Sequence, residues 1–130
     1  MERFSVTKSN ALIEASYRLT RTELQIILYG ISLINPTQKD FPLTYRVETR
    51  RFSEMFNRNH GEIYNDIKDA VRKRFWERDF SYTNEQGKIV TCRWLTRIIH
   101  EDKTGYIEIK FSEECSSNIM CKYEKFNFSL

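Results

Sequence analysis

The sequence predicts an α+β domain, in which helices pack against short antiparallel strands. Three observations support this class. The chain has 130 residues, the size of one domain. Helix-start signals and an apolar run of helical period fill its first third, and alternating apolar and polar residues separated by glycine-ended turns follow residue 79. Aromatic residues make up 14% of the chain, and their preference for strands argues against a purely helical bundle.

The N-terminal stretch "SNALIEASYRLTRTE" holds two helix starts. Ser9 or Asn10 can cap a short helix over "ALIEAS". Thr20 and Glu23 have the spacing of a capping box, in which each side chain bonds the backbone N–H of the other. We therefore expect two helices joined by a tight bend.

The second helix is predicted over residues 21–34, "RTELQIILYGISLI". One face carries most of its apolar residues, namely Leu24, Ile27, Leu28, Ile31 and Ile34. Ile26 and Leu33 fall nearly opposite that face. A helix that is apolar on two sides is covered on both, so we take Ile26 and Leu33 as candidate interface residues.

A strand and two helices are predicted next. Residues 41–48 alternate between apolar and polar side chains, which is typical of a half-buried strand. Thr49 is the expected cap of a short helix, "RRFSEMFN", and "NRNHG" is the turn after it. A longer helix is predicted over residues 62–78, with its acidic residues early and its basic residues late. Its apolar face consists of Ile63, Ile67, Ala70, Val71 and Phe75.

Three strands are predicted between residues 79 and 111, with turns at 84–87 and 101–105 that each end in glycine. In the strand 89–99, Arg93 and Arg97 point away from the apolar face, and Leu95 lies between them. An outward leucine makes Leu95 a third candidate interface residue. Ser112 is the expected cap of a last short helix.

This order of elements is that of a winged helix. The helix-turn-helix is predicted at residues 49–78, and the wing is predicted as a hairpin over residues 89–111. We therefore expect residues 1–130 to form a single winged-helix domain.

Charge patterning favours DNA as a partner. The net charge is only +3, but residues 44–98 hold twelve basic and eight acidic residues. Lysine and arginine neutralise DNA phosphates with release of counterions. The candidate phosphate contacts are Lys68, Arg72, Lys73, Arg93 and Arg97, with Arg50, Arg51 and Arg58 as further candidates. The alternative is a solvated face paired with Asp69 and Glu77. The interleaved acidic residues favour phosphate contact over base reading.

Catalytic and metal-binding motifs are absent from the sequence, so we expect neither an enzyme nor a bound cofactor. There is no phosphate-binding glycine loop, nucleophile elbow or HExxH motif. Three cysteines and two histidines lack zinc-ligand spacing, and free thiols are typical of a reducing compartment, here the cytoplasm. No apolar run reaches the length that spans a membrane.

The N-terminal stretch also resembles the opening of the Rep-type plasmid replication initiators. The family pattern is "K-x-N-x-L-x-x-A-x-Y-x-L-x-x-x-E/Q". Its positions correspond here to Lys8, Asn10, Leu12, Ala15, Tyr17, Leu19 and Glu23. The short helix with Phe52 and Phe56, the helix "IYNDIKDAVRKRFWERDF" and the hairpin "RWLTRIIHEDKTGYIEIKFSEE" are similar to later parts of the family pattern.

This resemblance implies two tandem winged-helix domains, of which this chain is the first. It also implies binding to repeated origin sequences (iterons), recruitment of host replication proteins, and a monomer–dimer switch that serves copy number control. In such proteins the first domain contacts DNA largely through the backbone and carries the dimer interface. A second hypothesis stays open, that of an interaction module that dimerises and does not bind DNA on its own.

Overall fold

The structure, a computed structural model, describes residues 10–34, 42–101 and 104–116 and has the expected α+β class. The helices in the described ranges are α1 (residues 10–16), α2 (Arg21–Ser32), α3 (Thr49–Phe56), α4 (His60–Asp69) and the short helical stretch α5 (residues 113–116). A π-helical turn (Ala70–Arg74) and a 3-10 turn (Phe75–Glu77) follow α4 directly. The strands are β1 (Thr44–Glu48), β2 (Asp79–Thr83), β3 (Ile89–Arg93), β4 (Leu95–His100) and β5 (Tyr106–Phe111).

The capping box predicted at the start of α2 is confirmed. The backbone N–H of Thr20 donates to the Glu23 carboxylate at 2.9 Å, and the N–H of Glu23 donates to the Thr20 hydroxyl at 3.3 Å. Most of α2 is buried within the chain. Ile26 is fully buried, so the prediction that it lies on a surface open to a partner is wrong.

The helix-turn-helix is formed by α3 and α4, as predicted. Asn57 ends α3 in the left-handed conformation (φ 52°), which asparagine tolerates, and Asn59 caps α4 by accepting from the Gly61 N–H at 2.9 Å. Thr49 is not the cap of α3, because its hydroxyl donates to the Gly105 carbonyl at 3.1 Å. That bond ties the start of α3 to the turn before β5.

The helix predicted over residues 62–78 is regular only as far as Asp69. Its last turns widen into the π turn and then tighten into the 3-10 turn. The predicted apolar face is confirmed, since Ile63, Ile67, Val71 and Phe75 are all fully buried. The buried seam therefore continues through the irregular turns as far as Phe75.

The predicted wing is divided between two hairpins. Strand β3 pairs with β2, and β4 pairs with β5, which also pairs with β1. The single strand expected at 89–99 is interrupted at Trp94, which is fully buried; its N–H donates to the Arg78 carbonyl and its carbonyl accepts from the Ser112 N–H. The wing prediction is corrected accordingly, while the turns near Gly87 and Gly105 are confirmed, both with positive φ.

Leu95 does not point outward as predicted. An irregularity in the β4–β5 register between Leu95 and Arg97 changes the alternation, and Leu95 pairs with Phe111 in the core with no exposed surface. A strand read from alternation alone assigns Leu95 to the wrong face, because a one-residue slip exchanges the two faces.

The core joins α2 to β1 at very close range. A Cβ added to Gly30 would lie 2.6 Å from the Tyr45 ring, and the Tyr45 hydroxyl donates to the Ile26 carbonyl at 2.7 Å.

Burial raises the pKa of Tyr45 and of the Cys115 thiol well above their usual values. Cys92 is buried too, as expected of a small core residue. Among the described helices, none is long and apolar enough to cross a membrane.

Candidate nucleic-acid interface

The helix that a winged-helix protein presents to DNA corresponds here to residues 60–77, which comprise α4 and the two turns after it. It has two halves of opposite charge. The first half is α4, where Glu62 and Asp69 are exposed and Asp66 is half-buried. The second half is the π and 3-10 turns, where Arg72, Lys73 and Arg74 are exposed in succession. Because phosphates repel carboxylates and attract guanidinium and ammonium groups, only the second half suits a DNA backbone.

The end of the second half is held by an ion pair with α2. The Arg78 guanidinium donates two hydrogen bonds to the Glu23 carboxylate, at 2.5 and 2.8 Å. The Glu23 side chain is fully buried, and that of Arg78 is 25% exposed. A bidentate pair fixes direction as well as distance, so the basic turns are held in one orientation relative to α2.

The first half is held to α2 by a different arginine. Arg58 donates to Gln25 at 2.7 Å, to Thr22 at 3.2 Å and to Asp66 at 3.1 Å. Only 18% of its side chain is exposed. Arg58 is therefore a packing and hydrogen-bonding residue, and the structure does not offer it as the phosphate contact expected from sequence.

The predicted phosphate contacts on the helix differ in whether another side chain already pairs with them. Lys68 has its ammonium 5.8 Å from the centre of the Tyr64 ring, and Lys73 pairs with Asp69 at 3.5 Å across largely exposed side chains. Arg72 is exposed and forms no ion pair with any residue in the described ranges. Among the predicted contacts on the helix, Arg72 is thus the one most available to a ligand.

Arg93 joins the helix surface to the first hairpin. Its guanidinium lies 5.4 Å from the centre of the Trp76 ring and also donates to the Trp76 carbonyl. The structure therefore groups Arg93 with Trp76 and the basic turns. We call Arg72, Lys73 and Arg93 the basic face; Lys68 lies on α4, in the first half of the helix.

Arg97 lies apart from the basic face. It pairs in register with Lys110 on the side of the three-stranded sheet that points away from the core. Arg46 lies on that side too, stacked at 4.4 Å on the Tyr106 ring and paired with Glu108 at 3.3 Å. Sequence reasoning did not single out Arg46 or Lys110, although both alternate with buried residues of their strands. We call Arg46, Arg97 and Lys110 the sheet face.

The remaining candidate phosphate contacts lie on α3. Arg50 is exposed and pairs with Glu54 at 3.6 Å, and the Arg51 guanidinium lies 5.7 Å from the centre of the Tyr29 ring. Each of these arginines has a neighbour on or beneath its own helix. The α3 surface is therefore less open to phosphate than the basic face.

Three clefts of similar volume surround these surfaces. One, of about 270 Å³, is lined by Arg50, Ser53, Glu54, Arg58 and His60. A second, of about 320 Å³, is lined by Thr20, Thr22, Arg58, Asp66, Asp69, Ala70 and Arg74. The third, of about 330 Å³, is lined by Arg72, Trp76, Ile98 and His100, and none of these described lining residues is a carboxylate. We call this last one the Trp76 cleft.

Of the three predicted interface residues, only Leu33 reaches the surface. It is half-buried at the end of α2 and packs against the core. Exposed apolar side chains lie elsewhere, at Ile89 (78% exposed) and Ile99 (47% exposed). Both are on strands, at positions that alternate with the predicted apolar face.

Comparisons with known proteins agree with this geometry. The family model described as the WH1 domain of initiator replication proteins matches residues 5–128. The crystal structure of the WH1 domain of MSBI1.176, a replication protein isolated from a multiple sclerosis patient, matches with a TM-score of 0.80 and 31% sequence identity. The match covers 95% of this chain and 98% of that one. No curated protein sequence gives a significant match. The winged-helix fold and the resemblance to Rep-type initiators are thus confirmed, and the chain belongs to the family of initiator replication proteins, as their WH1 domain.

Proposed function

We propose that the chain binds double-stranded DNA through the basic face, and that it contacts the phosphate backbone without catalysing a reaction. Membership in this family supports a role in the initiation of DNA replication, which such binding would serve. The observation that supports this most is the run of exposed cations Arg72, Lys73 and Arg74 at the end of the helix. Within it, Arg72 forms no ion pair in the described part of the chain.

Contact with the phosphate backbone of DNA, and not the reading of its bases, fits the charge of α4. A helix that enters the major groove passes between two rows of phosphates. Glu62, Asp66 and Asp69 would then approach those phosphates, which is unfavourable. A duplex that meets only the end of the helix and the first hairpin avoids Glu62 and Asp66 and reaches Arg72, Lys73 and Arg93, with Asp69 beside Lys73 as the nearest carboxylate of α4.

The finer parts of the role are also proposals. We infer that the duplex is a repeated origin sequence, that a second winged-helix domain supplies base reading, and that host replication proteins are recruited in the cytoplasm. We further propose a monomer–dimer switch that limits copy number. Two predicted contacts are left out of the proposed contact surface: Arg97 lies on the sheet face, and Lys68 lies on α4 among its carboxylates.

A dimerisation module without independent DNA binding is the second candidate function. Leu95 and Ile26 no longer favour it, because both are buried. Ile89 and Ile99 are exposed apolar side chains that remain available to such an interface. Sedimentation over a range of concentrations, run beside a duplex-binding assay, separates the two functions: a dimer with no affinity for DNA at low salt supports the module.

The salt dependence of duplex binding tests the basic face. The variant Arg72→Ala/Lys73→Ala removes two exposed cations, and each lost phosphate contact lowers the log–log salt slope by about one unit. We expect a slope lower by about two units and weaker binding for all sequences. The matched control is Arg46→Ala/Lys110→Ala, which removes the same charge from the sheet face. An equal loss in the control would place DNA on the sheet face with Arg97 and overturn the proposal.

A further inference from the structure

The Trp76 cleft combines an aromatic ring with cations. Trp76 is half-buried, lies beside the apolar side chain of Ile98, and has the Arg93 guanidinium over its ring. Arg72 and His100 complete the lining, one from the helix and one from the end of β4. The cleft thus lies between the second half of the helix and the edge of the three-stranded sheet.

The charge of this cleft differs from that of the other two clefts. Glu54 lines the cleft at Arg50, and Asp66 and Asp69 line the cleft at Arg74, so the cations there face carboxylates. Among the residues that the structure describes, the lining of the Trp76 cleft contains no carboxylate. Charge complementarity therefore favours an anionic ligand in this cleft and not in the other two.

The shape and chemistry of the cleft favour a ligand that is also flat and apolar. A volume of about 330 Å³ is near the lower end of the range for small-ligand sites, about 300–1,000 Å³. A phosphate in an intact duplex needs only a cation at the surface, and neither Trp76 nor Ile98 would contribute to its binding. Aromatic side chains next to arginines are the usual means of holding unpaired bases.

We propose that the Trp76 cleft binds an unpaired nucleotide, with the base against Trp76 and Ile98 and the phosphate beside Arg72 and His100. This site goes beyond the duplex contact proposed above, although it shares Arg72 and Arg93 with the basic face. The ligand chemistry is that of a nucleoside phosphate, which occurs both in single-stranded DNA and as a free nucleotide. Trp76 separates this site from the duplex contact, because phosphate contact does not require its ring.

Intrinsic fluorescence reports directly on the cleft. The chain has two tryptophans, and Trp94 is fully buried. Quenching by an added ligand therefore reports on Trp76, and the Trp94→Phe variant removes the remaining background. We expect a short oligothymidylate to quench this emission at low salt and a matched duplex to quench it much less. Quenching by thymidine triphosphate alone would support the cleft and assign it to free nucleotides. Equal quenching by duplex, or quenching only by a glutamate-rich peptide, would overturn the proposal.

Variants test the same site by the anisotropy of a labelled oligothymidylate. Trp76→Leu keeps apolar bulk against the core and removes the ring, so single-strand affinity should fall about tenfold, as is typical when one stacking aromatic is lost. Trp76→Phe should restore much of that loss, and Arg72→Ala should weaken binding. Arg74→Ala is the matched control, since Arg74 lines another cleft. Unchanged single-strand binding in Trp76→Leu, or an equal loss of duplex binding in that variant, would contradict a stacking site.

Discussion

The two halves of the helix at residues 60–77 differ in backbone, in charge and in the way that α2 holds them. The first half is regular, carries exposed carboxylates, and is tied to α2 by Arg58. The second half is a π turn followed by a 3-10 turn, carries exposed cations, and is tied to α2 through Arg78 and Glu23. Both halves contribute equally well to the core, through Ile63 and Ile67 in one and Val71 and Phe75 in the other.

This difference shows that packing and charge are distributed independently along one element. The buried stripe is continuous, so it does not distinguish the two halves. The exposed side does distinguish them, and only its second half combines free cations with an aromatic cleft. Function is therefore expected at the end of the helix and not along its whole length.

The largest effect is expected from the ion pair that holds the second half. Glu23→Ala removes half of the capping box and leaves Arg78 without its partner, and breaking a buried pair typically costs about 3 kcal/mol. We expect the free energy of unfolding to fall by about that amount in urea denaturation. Glu23→Gln is the matched control, since it can still cap the helix, and it should lose less. A loss below about 1 kcal/mol in Glu23→Ala would show that the pair does not hold the turns.

A smaller effect is expected from the arginine that holds the first half. Arg58→Ala removes hydrogen bonds to Gln25, Thr22 and Asp66, one of them to a charged group that is 45% exposed. We expect the free energy of unfolding to fall by about 1.5 kcal/mol, again measured in urea. Duplex affinity, measured at low temperature where the variant stays folded, should be nearly unchanged. Arg58→Lys keeps the charge without the planar fork and should be intermediate. A large loss of duplex affinity would return Arg58 to the list of phosphate contacts.

The smallest effect on stability is expected where the two halves meet. Asp69 pairs with Lys73 across exposed side chains, so Asp69→Asn should change the free energy of unfolding by less than about 0.5 kcal/mol. The same change frees Lys73 and removes a negative charge beside it, so duplex affinity should rise. Glu62→Gln is the control at the far end of α4 and should raise affinity less. Weaker duplex binding by Asp69→Asn would contradict the placement of DNA at the second half.

Local signals in the sequence account for much of the fold. The Thr20–Glu23 capping box and the apolar stripe of the long helix are determined by residues a few positions apart, and both were predicted correctly. The two hairpin turns were also predicted from local signals, namely Gly87 and Gly105. Both have the positive φ angles that favour glycine.

Tertiary contacts account for the rest. At the break between β3 and β4, the backbone of Trp94 bonds to Arg78 on one side and to Ser112 on the other, and the register changes after Leu95. These contacts join distant residues, so no local pattern predicts them. The pairing of Arg78 with Glu23 joins residues 55 positions apart. The internal role of Arg58 was missed for the same reason, because its partners on α2 are more than 30 positions away. Arg72 has no such partner in the described residues, and its exposure was predicted from the sequence.

Nuclear magnetic resonance of the labelled domain during titration with a duplex tests the division of the helix most directly. At low salt we expect chemical-shift changes in the backbone amides of Ala70–Glu77 and in the Arg72 and Arg93 side chains, while the amides of His60–Asp69 and of the sheet face change little. Changes centred on His60–Asp69, or on Arg46 and Lys110, would contradict binding through the second half.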